Sequence, residues 1–364
     1  AGVGATGAMS FLVLGFATGI TSGFSVVIAQ RAGAEDREQI RISVAACCWL
    51  CIAVTVVMTI LSVAGADFLL RIMNTPDDIF RYASGYIRII FGGLGASIYY
   101  NMIAGILRAV GDSRTPLYFL IFSSVFNVVL DIAAVLVFHG GVEGASFATV
   151  ISQLISAFLC HWYAGRKYPG IWPEKRHWSA SLSQGWRHLR IGLPMALQFS
   201  VTAVGIMILQ AYLNGFGSVV IAGYTAAGKV ENLVTQPFTT LAAAMEVYCG
   251  QNYGAGRPDR IRKGISSSLK MGGVAAAGML VLYVVFGRQM IQIFLESYDS
   301  AIVEYGYIYL VIIGAFSMVL CMLQIVRSSL QGMGEALVPM AGGVIELAAR
   351  WAGCICLLPF GYAG

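Results

Sequence analysis

The residues best suited to chemistry in this sequence are an amide and an acid that lie four positions apart in a long apolar segment. Asn127 and Asp131 occur in Phe-Asn-Val-Val-Leu-Asp, and a separation of four places both side chains on one face of a helix. A charge at the centre of a bilayer costs on the order of 3 kcal/mol, so an acid at that depth is by default a functional-site hypothesis. We therefore expect the pair to handle a cation or a proton inside a membrane; the alternative is a structural acid neutralised by a neighbour.

Thr149 is the third candidate for this cluster. It lies on the following apolar segment, and a turn at Gly140-Gly141 would place it at about the depth of Asp131 on an antiparallel helix. Amide, hydroxyl and carboxylate oxygens together suit a hard cation such as sodium. A desolvated carboxylate could equally exchange a proton as its surroundings become wet or dry. The residues alone leave both coupling ions open.

The composition assigns these segments to a membrane. The chain has 364 residues, of which 58% are hydrophobic and only 11% are charged. Residues 43–66, 144–165 and 305–326 contain no Asp, Glu, Lys or Arg, and each run exceeds the roughly 20 residues that cross a hydrocarbon core as a helix. Because the runs are apolar on every face, they lack the alternation of transmembrane β-strands. The sequence predicts an all-α polytopic membrane protein.

About ten spans are expected, and they are separated by charged or Gly/Pro-rich breaks. They lie near 8–30, 43–66, 82–107, 115–138, 143–164, 191–213, 219–249, 264–287, 304–326 and 336–360. The chain begins without methionine and ends together with an apolar run, so we expect a fragment that lacks one helix at each end of a twelve-helix protein.

The basic residues predict the orientation. Of the 23 Lys and Arg residues, 17 fall on one set of alternate loops and only four on the other, while Lys229 and Arg350 fall within spans. Positive charge is retained on the cytoplasmic side, so the richer face is predicted to be cytoplasmic. The formal charge of +5 then reflects membrane topology, and no nucleic-acid partner is expected.

The sequence contains an internal repeat. Gln30 and Gly33 recur as Gln251 and Gly254 at an offset of 221, and Gly111 and Pro116 recur as Gly334 and Pro339 at an offset of 223. The repeated order predicts two pseudo-symmetric lobes related by an axis along the membrane normal, an arrangement common in secondary transporters. The motif residues of interest are Gln30, Gly33, Arg108, Gly111, Asp112, Pro116, Gln251 and Gly254.

The longest polar break divides the spans into two groups of five. We predict an N-terminal lobe over residues 1–165, a cytoplasmic linker over 166–190 and a C-terminal lobe over 191–364. The linker contains two prolines and three tryptophans among basic residues. It is interpreted as a solvated loop, and contact with anionic headgroups is the alternative.

The second half has different polar residues. At the offset of 223, Arg350 and Cys354 occupy the positions of Asn127 and Asp131, and Arg350 is expected to pair with Glu346 four residues before it. Glu231 lies ahead of a kink predicted at Gln236-Pro237, and it is predicted to meet a cationic substrate. No zinc-protease, nucleophile-elbow or phosphate-loop motif occurs among the membrane segments, so neither an enzyme nor a metal centre is expected.

Four passages resemble the multidrug and toxic compound extrusion (MATE) family, and its DinF-type bacterial branch in particular. They are Val27-Ile-Ala-Gln30 with Gly33-Ala34, Leu107-Arg108-Ala-x-Gly111-Asp112-Ser-Arg114-Thr-Pro116, Asn127-x-x-x-Asp131, and Gln251-Asn252-Tyr-Gly254-Ala255-Gly256. The resemblance implies two six-helix lobes and a first-lobe proton site at Asn127, Asp131 and Thr149. It also implies that an acid of the absent first helix completes this site.

From the residues and the resemblance together we expect a multidrug efflux antiporter. It would export small organic cations across the bacterial inner membrane by rocker-switch exchange for protons, or for sodium as second choice, as a monomer without a cofactor. The span from Ile191 has no acid where sodium-coupled relatives have one. The candidate cavity residues are Glu231, Gln198, Thr202, Asn232 and Met207. The alternative is a lipid-linked oligosaccharide flippase, for which the cationic Lys229 and Arg350 are the argument.

Overall fold

The computed structural model describes residues 6–73, 75–295 and 299–357. Within these residues the chain folds as twelve α-helices, with short π or 3-10 segments at Ala133–Val137, Pro169–Ile171 and Asn214–Phe216. The predicted all-α fold is confirmed. The helices are α1 (Gly7–Gly33), α2 (Arg37–Ile72), α3 (Asp77–Gly92), α4 (Leu94–Ala109), α5 (Arg114–Ile132), α6 (Gly141–Lys167), α7 (Lys175–Leu213), α8 (Ser218–Val234), α9 (Gln236–Gly254), α10 (Pro258–Gln292), α11 (Ser300–Gly332) and α12 (Leu337–Leu357).

Local sequence signals explain several helix starts. The Asp36 side chain accepts a hydrogen bond from the Gln39 amide at 3.0 Å and caps α2. Asp299 caps α11 in the same way, accepting from the Ala301 amide at 2.8 Å. Pro258 begins α10, at a position where the missing amide proton costs nothing. These caps satisfy amide groups that a helix cannot satisfy itself.

Seven helices in the described residues are long and apolar enough to cross a membrane, and an eighth crossing results if α3 and α4 form one span. The seven are α1, α2, α5 with its π turn, α6, α7, α10 and α11. The multi-pass architecture is thereby confirmed. The predicted spans 219–249 and 336–360 coincide with α8–α9 and α12 but are not among the seven. Residues 358–360 of the last predicted span lie outside the described residues.

Two predicted spans are broken helices. The span predicted over 82–107 is two helices that bend by 41°, because Gly93 lies between them and α6 approaches it closely. A Cβ atom at Gly93 would lie 2.2 Å from Val150 Cγ2. In the second half α8 ends at Val234 and α9 begins at Gln236, so the helix is interrupted where Gln236-Pro237 predicts a kink.

The predicted linker loop is largely helical, and its interpretation as a solvated loop is wrong from Lys175 onward. Helix α7 begins at Lys175 and continues without interruption to Leu213. Its first four turns bury His177, Ser181 and His188, which are at most 1% exposed. Because this inward face consists of small and polar side chains, the segment resembles a solvated loop in composition.

The chain divides into two compact units, the first ending at Ala203 and the second beginning at Val204. In the first unit, α7 packs backbone to backbone on α1, since a Cβ atom at Gly23 would lie 2.4 Å from the Gly192 Cα. The core of the second unit contains fully buried Tyr283 and Phe238. The division falls within α7, and the predicted lobe limits at 165, 166–190 and 191 stay a prediction.

The internal repeat extends to backbone conformation. Gly111 and Gly334, related by the offset of 223, have φ angles of +96° and +91°. Their amides donate to Arg108 O and Gln331 O at 3.0 Å and 2.9 Å. Glu35 and Gly256, related by the offset of 221, have φ angles of +57° and +64°. Equivalent helices in the two halves therefore end in the same left-handed turn.

Candidate functional site

Asn127 and Asp131 lie on the face of α5 that packs against α6. Both are half-buried, and the Asn127 Nδ2 atom is 3.5 Å from Asp131 Oδ1, at the outer limit of a hydrogen bond. One turn earlier on the same face, the buried Ser123 hydroxyl donates to Ser152 O of α6 at 2.6 Å. Most other residues of α5 between 117 and 132 are exposed, so the amide and the acid turn toward protein and away from the most lipid-accessible face.

The structure refines the position predicted for Thr149. Hydrogen bonds from Ser123 to Ser152 O and from Ser156 to Phe119 O fix the antiparallel register of α5 and α6. By that register Thr149 lies opposite Phe126. Nearer the turn, a Cβ atom at Gly144 would lie 3.1 Å from Ala134 Cβ, and this pairing places Thr149 closer to the depth of Asp131. The predicted shared depth of Thr149 and Asp131 stays a prediction. The Thr149 hydroxyl donates to Ala145 O of its own helix at 3.1 Å.

No Lys, Arg or His forms an ion pair with Asp131 among the described residues. The alternative of a structural acid neutralised by a cation therefore finds no support in the described part of the chain. Tyr86 of α3 lies within electrostatic range of the Asp131 carboxylate. No motif points to Tyr86, although the repeat offset of 223 relates it to Tyr309, which lies beside the acid of the second half.

That second acid, Glu231 of α8, is held by a tyrosine of α11. The Tyr309 hydroxyl donates to Glu231 Oε2 at 2.7 Å, and the Tyr309 ring lies edge-on to Tyr224 with 5.0 Å between centroids. Tyr283 of α10 is completely buried nearby, within electrostatic range of Glu231. Its hydroxyl has no hydrogen-bond partner in the described part of the chain. We call Glu231, Tyr309, Tyr224 and Tyr283 the tyrosine cluster.

The predicted pairing of Glu346 with Arg350 is confirmed, and a third residue joins it. Arg350 contacts Glu346 Oε1 at 2.6 Å, and Arg327 of α11 contacts Oε2 at 3.0 Å. One carboxylate thus bridges two guanidinium groups, which leaves a net positive charge on this part of the second unit. The other predicted cation, Lys229, is exposed and lies 5.8 Å from the Phe294 ring centroid.

The remaining cavity candidates are distributed over both units. In the first unit Gln198 is buried, and the Thr202 hydroxyl donates to its main-chain oxygen at 3.1 Å. In the second unit Met207 is half-buried, and exposed Asn232 donates to Gly228 O at 2.9 Å. The cavity that these four residues were predicted to share with Glu231 stays a prediction.

Comparison with protein families shows that the MatE family model matches residues 1–133 and again residues 194–350. The chain belongs to the MatE family. The two matches cover most of the chain and correspond to the two copies of the internal repeat. This membership makes the chain a membrane transporter and not an enzyme, as the sequence predicts.

Individual MATE proteins agree with this assignment. The probable multidrug resistance protein YoeA of Bacillus subtilis is 27% identical over 94% of this chain and 74% of its own length. The probable multidrug resistance protein NorM of Thermotoga maritima is 26% identical over 96% of the chain and 75% of its own length. A solved MOP-superfamily transporter from Pyrococcus furiosus superimposes with a TM-score of 0.90 at 22% identity, over 100% of this chain and 81% of that one. This structural similarity, at 22% identity, shows the fold of the chain and not its activity.

The MATE motif around Asp112 forms a buried polar cluster at the start of α5. Asp112 accepts from the Thr115 amide at 3.1 Å and hydroxyl at 2.9 Å, from Lys167 at 3.2 Å and from the Tyr168 hydroxyl at 3.0 Å. Burial raises the pKa of the Asp112 carboxyl, but these hydrogen bonds outweigh burial and the pKa lies below its usual value. The cluster joins the end of α6 to the start of α5 through hydrogen bonds to a charged acceptor, which are stronger than neutral ones.

The other motif residues also lie near the ends of helices. Gln30 is buried near the end of α1, and its Oε1 atom accepts from Arg187 at 3.2 Å. Pro116 O accepts from the buried Tyr100 hydroxyl at 3.1 Å. Gly33 and Gly254 end α1 and α9, three residues after Gln30 and Gln251 respectively, and Arg108 lies in the last turn of α4.

The described residues contain no group of three or more His, Cys, Asp or Glu side chains that could hold a metal ion. All eight cysteines are free thiols. Five of them, at positions 47, 51, 160, 249 and 321, are buried, and Cys356 is exposed.

Proposed function

We propose that this MATE chain is a secondary active multidrug efflux antiporter of the bacterial inner membrane. It exports small organic cations in exchange for protons by rocker-switch alternating access. It acts as a monomer and needs no cofactor. The names of its relatives YoeA and NorM support drug efflux, and the duplicated helical architecture supports alternating access.

The observation behind proton coupling is the environment of Asp131. Its carboxylate lies half-buried in an apolar helix with an amide within reach and no cation paired to it among the described residues. A carboxylate locked to a guanidinium would stay charged throughout a transport cycle. A carboxylate beside a neutral amide can gain and lose a proton without breaking an ion pair, as hydration of the site changes.

The same geometry favours protons over sodium. A hard cation is held by several oxygen ligands at once, whereas the Thr149 hydroxyl is bonded to Ala145 O of its own helix. Sodium therefore remains the second choice for the coupling ion. The residues present offer a proton acceptor more readily than a closed coordination shell.

The tyrosine cluster supports a cationic substrate. Glu231 provides a negative charge, and Tyr224 and Tyr309 provide aromatic rings beside it. A carboxylate combined with aromatic faces attracts organic cations, including those that cannot donate hydrogen bonds. We assign substrate contact to Glu231 and coupling to Asp131, so the two halves have separate tasks.

The test is efflux from proteoliposomes containing the full-length protein. A cationic dye is loaded, and a pH gradient or a sodium gradient is imposed on wild type and on Asp131→Asn. The matched control is Asp67→Asn, since Asp67 is already neutralised by Arg88 at 2.5 Å. We expect the pH-driven efflux to be lost in Asp131→Asn and retained in Asp67→Asn. Unchanged pH-driven efflux in Asp131→Asn would refute the proposal. Wild-type efflux driven by sodium alone would show that sodium, and not the proton, is the coupling ion.

A second candidate is a lipid-linked oligosaccharide flippase. The specific observation in its favour is the Arg327–Glu346–Arg350 group, whose net positive charge suits a pyrophosphate. Flipping of a fluorescent pyrophosphate-linked lipid by the same proteoliposomes, abolished by Arg350→Gln and insensitive to Asp131→Asn, would favour this candidate over the antiporter.

A further inference from the structure

The two halves of the repeat differ at the ends of α2 and α10 that the basic residues predict to be cytoplasmic. In the first half, Arg41 of α2 donates to Gly170 O at 2.9 Å and forms an ion pair with Glu174. Two turns further along α2, Trp49 packs edge-on against Trp178, with 5.7 Å between ring centroids. Arg41 and Trp49 of α2 are thus both contacted by residues of the chain segment that follows α6.

The equivalent positions of α10, at the offset of 221, are Arg262 and Lys270. Both side chains are exposed, and within the described ranges neither forms an ion pair or a side-chain hydrogen bond. The aromatic residue of the first half is replaced by a second cation. Two unpaired positive charges therefore occupy a surface that the first half neutralises internally.

These two cations line one open groove. Arg262, Ser266 and Lys270 follow one another at intervals of four on the same face of α10, and the groove has a volume of about 560 Å³. Beyond Lys270 its walls are apolar, formed by Gly273 and by Met318 of α11. An added Cβ atom at Gly273 would contact the Met318 side chain at 3.4 Å, so the glycine leaves room along the helix.

The depth of Lys270 decides what the groove can hold. Lys270 lies about 9 Å inside the span predicted to begin at residue 264, at 1.5 Å per residue, and residues 271–287 contain no charge. A lysine at that depth extends its ammonium group toward the interface. Arg262 and Lys270 are about 12 Å apart along the axis, so their side chains can converge on an anion near Ser266, midway between them.

We propose that this groove binds one anionic phospholipid of the cytoplasmic leaflet. The lipid phosphate contacts Arg262 and Lys270 with the Ser266 hydroxyl as a further donor, and an acyl chain lies along Gly273 and Met318. The occupant follows from charge complementarity, from the change from polar to apolar walls, and from the basic-residue distribution that places this end of α10 on the cytoplasmic side. The site is separate from Asp131 and from the tyrosine cluster.

The experiment uses the full-length protein in nanodiscs of phosphatidylcholine with increasing fractions of phosphatidylglycerol. Native mass spectrometry counts the phosphatidylglycerol retained, and the thermal unfolding midpoint is followed in parallel. Arg262→Gln/Lys270→Gln is expected to weaken retention at least about tenfold, since each basic side chain contributes to anionic-lipid binding. Arg257→Gln/Lys263→Gln removes the same charge from exposed positions of the same region outside the groove and is expected to retain the lipid.

A third variant separates a phospholipid from a free anion. Gly273→Leu fills the apolar part of the groove, so it should reduce phosphatidylglycerol retention while leaving both cations in place. Stabilisation of wild type by glycerol phosphate alone, unaffected by Gly273→Leu, would overturn the lipid assignment. Equal losses of phosphatidylglycerol retention in the two double variants would overturn the proposal, since they would show that the lipid is attracted by basic residues in general and not by the groove. Absence of a retained lipid in wild type would overturn the proposal. Unfolding midpoints in pure phosphatidylcholine verify that every variant is folded.

Discussion

The two halves of this MATE chain share their turns but differ in their acids. Gly111 and Gly334 have nearly the same positive φ angle, and the turns they form have equivalent hydrogen bonds. Yet Asp131 of the first half corresponds to Cys354 of the second. The difference shows that the repeat preserves the backbone that ends and restarts helices, while intramembrane charge is assigned to each half independently.

The tyrosines make this contrast more specific. Tyr86 and Tyr309 occupy equivalent positions, and each lies near the acid of its own half. The acids come from non-equivalent helices, since Asp131 is on α5 and Glu231 is on α8. Only the second-half tyrosine donates a hydrogen bond to its acid, at 2.7 Å, so the same tyrosine position has a different relation to the acid in each half.

The largest predicted effect tests whether Glu231 contacts the substrate while Asp131 couples the ion. Glu231→Gln in the full-length protein should reduce efflux of a cationic dye at least about tenfold, equivalent to about 1.4 kcal/mol, because the charge that attracts the cation is lost. Efflux of a neutral dye should change far less. Dye efflux rates from proteoliposomes at saturating pH gradient give the measurement.

Two controls accompany this variant. Glu304→Gln removes an exposed acid paired with Arg288 and should leave both dyes unaffected. Tyr309→Phe keeps the carboxylate but removes its hydrogen bond, so its effect should be smaller than that of Glu231→Gln. Equal losses for charged and neutral dyes in Glu231→Gln would contradict a role in substrate charge recognition.

A second comparison concerns the acids that start α5 and α12. Asp112 is buried and accepts four hydrogen bonds, whereas exposed Glu335 accepts one from the Val338 amide at 3.4 Å. Asp112→Asn should destabilise the protein by about 1–3 kcal/mol, as expected when a buried charged acceptor is lost. Glu335→Gln should stay within about 0.5 kcal/mol. Unfolding in detergent, followed by thiol reactivity, compares them.

The pH dependence of the same pair follows from the lowered pKa of Asp112. A carboxyl whose folded-state pKa lies below its unfolded-state value, roughly 3.9, stabilises the fold fully above the unfolded-state value. That contribution is lost as the pH falls through the folded-state pKa. The difference in stability between wild type and Asp112→Asn should therefore be constant above roughly pH 5 and shrink below roughly pH 4. A difference that instead grows on acidification would contradict the assignment.

The smallest effects are expected at the left-handed turn after α1 and α9. Gly256→Ala places a Cβ atom at φ +64° and should cost about 1–2 kcal/mol. At the equivalent position Glu35 already has φ +57°, so Glu35→Gly should stabilise the protein by about 0.5 kcal/mol despite the added flexibility of glycine. Opposite signs in the two unfolding midpoints are the expected result, and equal signs would show that the two turns are not equivalent.

Much of this fold follows from patterns that extend over long stretches of the sequence or recur in its two halves. Charge-free runs locate the long helices, because burial in a bilayer requires them to be apolar on all faces. The repeated glycines predict equivalent turns, since only a few residues tolerate positive φ. The Glu346–Arg350 pair follows from a spacing of four.

Other features depend on packing that no pattern in one sequence specifies. The start of α7 buries His177, Ser181 and His188, so its inward face does not look hydrophobic. The π turn at Ala133–Val137 lies between α5 and the chain reversal, and no sequence pattern anticipates it. The contact between Tyr309 and Glu231 joins residues far apart in sequence, and only the folded second unit brings them together.

The reactivity of the free cysteines can be used to measure local opening of the protein. Buried Cys47, Cys51 and Cys160 lie in the first unit, and Cys249 and Cys321 lie in the second. A small maleimide reaches such thiols only when the surrounding helices separate, so the alkylation rate of each position measures local opening without any introduced label. Rates recorded with and without an imposed pH gradient would then show which half loosens first during a transport cycle.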